Sequence, residues 1–394
     1  MNPQRRHWLW LLAGAGALAG AASRAAGESG AAVQRGRRLS FPRDHGAHTG
    51  SRIEWWYATG VLQAAGQEAP IGFQVTFFRS RTGLAADTPG RFAARQLLFA
   101  HAAISDIAAQ KHHHADRLAR WSGDDAPGLR ARASSSDTDI ALNGWSLRRG
   151  GDDTGAGKDG TNDKPGTYRT DIIADAFTIE LDLTPTQALL LQGDAGYSQK
   201  GPQPQQASHY YSQPQLQATG RIGVRGGKGG SGGNGRNTSV RGRAWIDHEW
   251  SDEVLPPLAV GWDWIGFNLD DGSTLTAFQL RRADGSKLWA GGSFRPSAAA
   301  AGAAQAFAAD AVRFVPGRRW QSPTSNAVYP VEWQIETPAG RFQLRSLLDN
   351  QELDSRGSTG TVYWEGLSEL LDSSGRRVGL GYLEMTGYAG VLKL

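Results

Sequence analysis

The 394-residue sequence contains no cysteine and only two methionines. The missing thiol excludes disulfides, lipoprotein attachment, iron–sulfur ligation and thiol catalysis together, so stability has to come from packing. Charge of one sign is not in excess either. The formal net charge of +4 comes in part from the amino-terminal region and loop arginines, with acids interspersed elsewhere, and without a basic stripe nucleic acid is set aside as a partner. No phosphate loop or dinucleotide fingerprint stands between a strand and a helix, which removes nucleotide and nicotinamide chemistry. The apolar run from Trp8 to Ala22 falls short of the ~20 residues of a membrane helix, so no stable span is expected in the mature chain.

Glycine and tryptophan are plentiful, at 52 and 14 residues. With recurrent Thr, Tyr and Phe they predict many strands joined by tight turns, an all-β chain. Glu54–Leu62 and Ile71–Arg79 read as a hairpin turning near Gly66. Further strands are predicted at Gln96–Asp106, Ile140–Arg148, Ala176–Leu183, Leu216–Val224 and Val240–Glu249. Residues 150–166 and 223–235 are rich in small residues, as is the alanine-rich run 297–311, and all three read as inserts that lengthen loops. At the amino terminus, Arg5 and Arg6 precede the apolar run and the small residues Ala21–Ala26, the pattern of a cleaved signal over residues 1–26. Gln4-Arg-Arg-His-Trp-Leu9 is similar to a twin-arginine signal. An exported, periplasmic protein is expected.

The chain echoes itself. Trp56–Leu62 leads to Phe73-Gln-Val75 and Arg79, as Trp264–Leu269 leads to Phe278-Gln-Leu280 and Arg281. Tyr210-Tyr211 precedes Leu216–Gly220, as Tyr363-Trp364 precedes Leu383–Gly387. Two echoes in the same order imply two related β units, each fitting a closed barrel of roughly eight strands. The expected division is 38–236 and 237–394.

Several motifs carry no chemistry on inspection. His248-Glu249 lacks the second histidine and the helix of a zinc protease. His112-His113-His114 sits in a polar stretch and reads as an exposed loop. Gly229-Gly-Ser-Gly-Gly233 matches a serine-hydrolase elbow only in composition. What survives is Arg243-Ala-Trp-Ile-Asp-His-Glu-Trp250 with Trp262-Asp-Trp264, four tryptophans interleaved with ionisable groups. Strand alternation puts Trp245, Asp247 and Glu249 on one face and Ile246, His248 and Trp250 on the other. Trp262 and Trp264 likewise oppose Asp263, and Glu54 and Trp56 oppose Trp55. One face of each is a pocket and the other packing, or the acids are locked in ion pairs with arginines such as Arg52 or Arg243.

Phe41-Pro-Arg-Asp-His-Gly-Ala-His48, Glu54-Trp-Trp-Tyr57, Gly72–Arg79, His101–Asp106, Lys200-Gly-Pro202, Tyr210-Tyr-Ser212, Trp245–Trp250, Gly261–Trp264 and Gly381–Gly387 together resemble the AttH/CrtC family. That family includes carotenoid 1,2-hydratase (hydroxyneurosporene synthase) and kievitone-hydratase-like proteins. The resemblance implies two tandem lipocalin-like β-barrels and cofactor-free addition of water to a C=C bond of an isoprenoid-like, lipophilic ligand. Protonating an alkene needs a carboxylic acid, an aromatic wall for the developing cation and a placed water. It implies Asp247 as proton donor, with His248 or His101 tuning or reprotonating it and Glu54 or Glu384 orienting water. Trp245, Trp262, Trp264 and Tyr211 form the wall, and Trp55, Trp56, Tyr210, Glu249, Trp250, Asp263 and Tyr382 complete the substrate-binding set. The alternative is a carrier without turnover, an accessory to an ABC-type permease.

Overall fold

Runs of aromatic and β-branched residues punctuated by glycine turns fold as anticipated into antiparallel strands, in a computed structural model that describes residues 33–84, 93–124, 126, 128–150, 166–225, 237–253, 255–300 and 302–390. No α-helix occurs among the described residues, and so none long and apolar enough to cross a membrane. The expected signal (1–26), residues 151–165 and the segment Gly229–Gly233 lie outside them.

Four long strands open the first sheet: β1 (Ile53–Ala64), β2 (Ile71–Arg81), β3 (Gln96–Asp106) and β4 (Lys111–Trp121). Shorter ones follow as β5 (Ala131–Ala133), β6 (Asp139–Leu142), β7 (Trp145–Gly150), β8 (Thr167–Ile173) and β9 (Phe177–Thr184). The stubs β10 (Leu190–Leu191) and β11 (Tyr197–Gln199) lead to β12 (Ala207–Val224) and β13 (Thr238–Ser251). The spatial order β4-β3-β2-β1-β13-β12-β9-β8-β7-β6-β5 places the last strand beside the first, and β4 lies against β5. The 13-stranded sheet is thereby a nearly closed barrel, which hides its edges.

The second sheet repeats the plan. It runs through β14 (Gly261–Leu269), β15 (Thr274–Arg281), β16 (Lys287–Arg295), β17 (Gln305–Phe307) and β18 (Arg313–Pro316). A separate hairpin, β19 (Arg319–Gln321) and β20 (Val328–Pro330), precedes β21 (Glu332–Thr337), β22 (Gly340–Ser346) and β23 (Glu352–Ser355). β24 (Thr361–Leu371) and β25 (Arg377–Met385) finish the order β17-β16-β15-β14-β25-β24-β22-β21-β18. Again the last strand pairs with the first, β25 with β14, so the architecture is that of tandem lipocalin-like barrels.

The echo in the sequence is therefore a repeat in space: β1–β2 correspond to β14–β15, and Tyr210-Tyr211 on β12 to Tyr363-Trp364 on β24. One part does not map. Leu216–Gly220 continues the same long strand β12, whereas Leu383 lies on β25, so those two runs are not equivalent. The division at 236/237 also moves. β13 hydrogen-bonds between β1 and β12 and belongs to the first barrel, so the crossover lies between Ser251 and Gly261. His112–His114 form part of strand β4 rather than an exposed loop, and the Ser105 hydroxyl lies 3.0 Å from His112 Nδ1. The alanine-rich run also contributes an edge strand, β17.

Each barrel has its own apolar interior. Trp56, Phe73, Phe77, Leu181 and Ile246 fill the first; Phe267, Tyr329, Trp333, Leu344 and Met385 fill the second. A third cluster, Tyr57, Trp245, Trp264, Phe278, Leu367 and Tyr382, lies between them. Each such side chain contributes about 1.5–3 kcal/mol on burial. A Cβ at Gly72 would stand 2.6 Å from the Tyr382 hydroxyl and 3.0 Å from Leu367, so glycine there lets the barrels approach. Polar bonds fix the contact: Ser105 Oγ donates to Gln351 Oε1 (2.7 Å) and Asn268 Nδ2 to Ala244 O (2.9 Å).

Candidate functional site: an acid-lined aromatic cleft

β13 is buried on both faces from Ala244 to Ser251 because one face closes the first barrel and the other meets the second. The parity expected from the sequence thus separates two sites. Asp247 and Glu249 line the inter-barrel cleft; Ile246, His248 and Trp250 point into the first barrel.

The cleft is bounded by two facing rows. Across the first barrel run Ser212, Asp247, Tyr57 and Thr76, register partners on β12, β13, β1 and β2. Across the second run Trp264, Glu384 and Glu365 on β14, β25 and β24. Trp55, Phe78, Tyr210, Trp262 and Phe278 add aromatic walls around an inner volume of about 90 Å³. Glu253 and Leu255, from the crossover, stand among the lining residues. Trp264 lies flat over β14 because position 266 is glycine; a Cβ there would be 2.3 Å from its ring.

Asp247 accepts three hydrogen bonds, from Ser212 Oγ (2.5 Å), Trp245 Nε1 (2.7 Å) and Tyr210 Oη (2.8 Å). The donor directions are fixed. Ser212 Oγ itself accepts from Gln192 Nε2 (2.8 Å) and Tyr210 Oη from Trp264 Nε1 (3.2 Å), so both hydroxyl protons point at Asp247. Burial raises the Asp247 pKa to about 7 against these donors, which lower it. Glu365 and Glu384 are opposed directly across β24 and β25. Burial and Glu384 hold Glu365 well above the usual carboxyl range; burial raises Glu384 to about 7, against a hydrogen bond from Trp262, with Asp247 and Glu249 adding to the rise. Glu365 is 2% exposed; its Oε1 makes no close hydrogen bond, and the Tyr57 and Tyr363 hydroxyls beside the carboxyl lower its pKa without outweighing burial. Among the described residues Asp247, Glu365 and Glu384 join no ion pair, whereas Glu249 is 3.0 Å from Lys200 Nζ.

Inside the first barrel the opposite holds. Glu54 Oε1 accepts from His48 Nδ1 (2.7 Å) and His248 Nε2 (2.9 Å), and its Oε2 is bound by Arg79 Nε (2.8 Å). Burial would raise Glu54, but His48 and Arg79 outweigh it and hold the carboxyl well below its ordinary value. Tyr211 Oη lies 3.1 Å from His248 Nδ1, and burial lowers His248 to about 4, so the ring is neutral at pH 7. The segment carrying Asp44, His45 and His48 plugs this end, with His48 stacked on Trp250 at 3.7 Å.

The candidates therefore part company. Trp55, Tyr210, Asp247, Glu249, Trp262, Trp264 and Glu384 meet at the cleft; Trp245 and Tyr382 stand behind it, Trp245 holding Asp247. Glu54, Trp56, Tyr211, His248 and Trp250 do not reach it, because their parity turns them inward. His101 is at the barrel seam, 2.6 Å from Tyr363 Oη rather than beside Asp247. Asp263 points away from Trp262 and Trp264, paired with Arg281 at 2.9 Å. The glutamate Glu365, Tyr57 and Phe278 were missed; the available signal was an acid placed two residues after Tyr363, directly following Trp364. Among the described residues, His48, Glu54 and His248 alone bring metal-ligating atoms within 4.8 Å of one another. Glu54 already accepts a hydrogen bond from each of the two rings and pairs with the Arg79 cation, a donor set that fits an ion poorly.

Fold and cleft define a tandem lipocalin-like protein whose barrels enclose an acidic, aromatic site. The chain belongs to the AttH-like family, whose model matches residues 32–388. It is similar to a crystal structure from Nitrosomonas europaea described as AttH, with 44% identity over 91% of this chain and 99% of that one, TM-score 0.78. Kievitone hydratase from Nectria haematococca shares the fold at 14% identity, covering 90% and 94%, TM-score 0.63. CghA in complex with Sch210972 does so at 12% identity, covering 85% and 88%, TM-score 0.51. No curated protein matches the sequence.

Proposed function

We propose that the cleft hydrates a C=C bond of a lipophilic substrate without a cofactor. The carrying observation is that Glu365 and Glu384 face each other in an aromatic site and, among the described residues, pair with no cation, the cleft's Lys200 being taken by Glu249, so the pair holds a proton at neutral pH. The neutral glutamate protonates one alkene carbon. The cation that develops on the other carbon lies against the indoles of Trp55, Trp262 and Trp264. Water adds to the cation and yields its proton to the ionised glutamate, which restores the pair. The product is the alkene plus one water. Proton donation thus passes from Asp247 to the glutamates, because three hydrogen-bond donors are already directed at Asp247 and engage its carboxyl.

The family and the hydratase fold of kievitone hydratase support this reading. A carrier serving an ABC-type permease is expected to have its acids locked in ion pairs, as Glu54 and Asp263 are; the unpaired cleft acids favour turnover. Export through the signal at residues 1–26 belongs to the same proposal and suits a lipophilic substrate met at a membrane surface. The test is incubation with a polyprenoid extract and mass analysis. A gain of one water, abolished in Glu365→Gln, supports the reading; retention in Glu365→Gln and Glu384→Gln with loss in Asp247→Asn returns the donor to Asp247. No product with any extract leaves the carrier.

A further inference from the structure

We infer that the inter-barrel cleft binds a compact organic cation, of the size of a trimethylammonium head, against Glu365, Glu384 and the surrounding aromatic faces. Acids exceed bases around this space: Asp247, Glu249, Glu253, Glu365 and Glu384 against Lys200, which is paired with Glu249. An acidic cluster alone would not specify a ligand. Independently, Glu365 is 2% exposed and lines the cleft with an Oε1 that makes no close hydrogen bond, and the Tyr57 and Tyr363 hydroxyls beside the carboxyl carry no charge to balance it. A buried carboxylate without a counter-charge is costly. A quaternary ammonium supplies that charge, and the faces of Trp55, Trp262 and Trp264 attract it. Lys200 already uses this mode, its Nζ standing 4.7 Å from the Tyr210 ring centroid and 4.3 Å from that of Phe278. The inner volume of about 90 Å³ is large enough to admit such a head.

The inference concerns the same cleft as the proposed reaction, in which a bound ammonium imitates the carbocation, but it requires no turnover. Choline and its neutral isostere 3,3-dimethylbutan-1-ol, matched in shape, are titrated into the full-length protein by calorimetry, with tryptophan emission as a second readout. Choline should bind at least about tenfold more tightly. The double variant Glu365→Gln/Glu384→Gln should reduce the preference to within about twofold, Trp262→Leu should reduce it in part, and Glu336→Gln on β21 should leave it intact. Equal or tighter binding of the neutral alcohol, no choline binding, or a preference that survives both the double variant and Trp262→Leu overturns the inference; Trp262→Leu decides alone if the double variant does not fold. Choline preference without any hydration product defeats only the proposed reaction. Hydration without choline preference defeats only the present inference.

Discussion

On one side of β13, Glu54 is buried against Arg79, His48 and His248; across the cleft from the other side, buried Glu365 stands beside half-buried Glu384. Glu54 and Glu365 are equally shielded from water, at 0% and 2% exposed, so solvent does not explain the difference between them. Partnering does: the inner carboxylate is ionised and bound by Arg79, His48 and His248, whereas the cleft acids keep exchangeable protons. The first arrangement specifies structure. The second retains chemistry at the expense of an uncompensated site, a compromise expected where function outweighs packing.

The largest expected effect breaks the comparison on the cleft side. Glu365→Gln should lower hydration turnover by about 10²–10⁴-fold while leaving the denaturation midpoint unchanged or raised, since it relieves repulsion with Glu384. Next is Arg79→Met, which leaves Glu54 buried without its guanidinium and should destabilise the fold by about 3–5 kcal/mol in denaturant titration. Turnover per folded molecule should stay near wild type; a loss equal to that of Glu365→Gln would show that the two sites are not separate. Trp262→Leu removes one face of the cation wall, and an increase in the barrier of about 1–2 kcal/mol, roughly tenfold in rate, is expected from steady-state kinetics.

The smallest effect is a change of slope with pH, at most about 1.4 kcal/mol per pH unit for each group. Asp247 has its pKa raised from 3.8 to about 7 on folding, so its contribution is complete below the lower value and is lost as pH rises through about 7. His248 is lowered from 6.5 to about 4; its contribution is complete above 6.5 and is lost as pH falls through about 4. Denaturation midpoints between pH 4 and 8 should therefore fall less steeply toward alkali in Asp247→Asn and less steeply toward acid in His248→Asn. The reverse pattern would exchange the two faces.

Much of this was legible in the sequence. Alternation in Arg243–Trp250 divided the motif correctly because a strand's period is two whatever surrounds it. What it does not reveal is which face meets which barrel, since both faces of β13 are buried and equally aromatic. Glu365 escaped notice for a related reason: its meaning depends on its register with Glu384 and on a facing row from another barrel, and both are long-range properties. The boundary was misplaced because β13 returns to pair with β1, about 190 residues earlier, a closure that local pattern does not record. His112–His114 were misread because strand β4 buries polar side chains at the seam between barrels, where composition imitates a loop.

The central claim is that the unpaired acids of the cleft, and not the ion-paired cluster behind them, add water to an alkene. Incubation of the purified protein with a polyprenoid extract in ¹⁸O-water tests it most directly. A product heavier by one molecule of H₂¹⁸O, formed by the wild type and by folded Arg79→Met but not by Glu365→Gln, is the predicted result. A lipid that co-purifies with the wild type and leaves it with its mass unchanged would contradict the account.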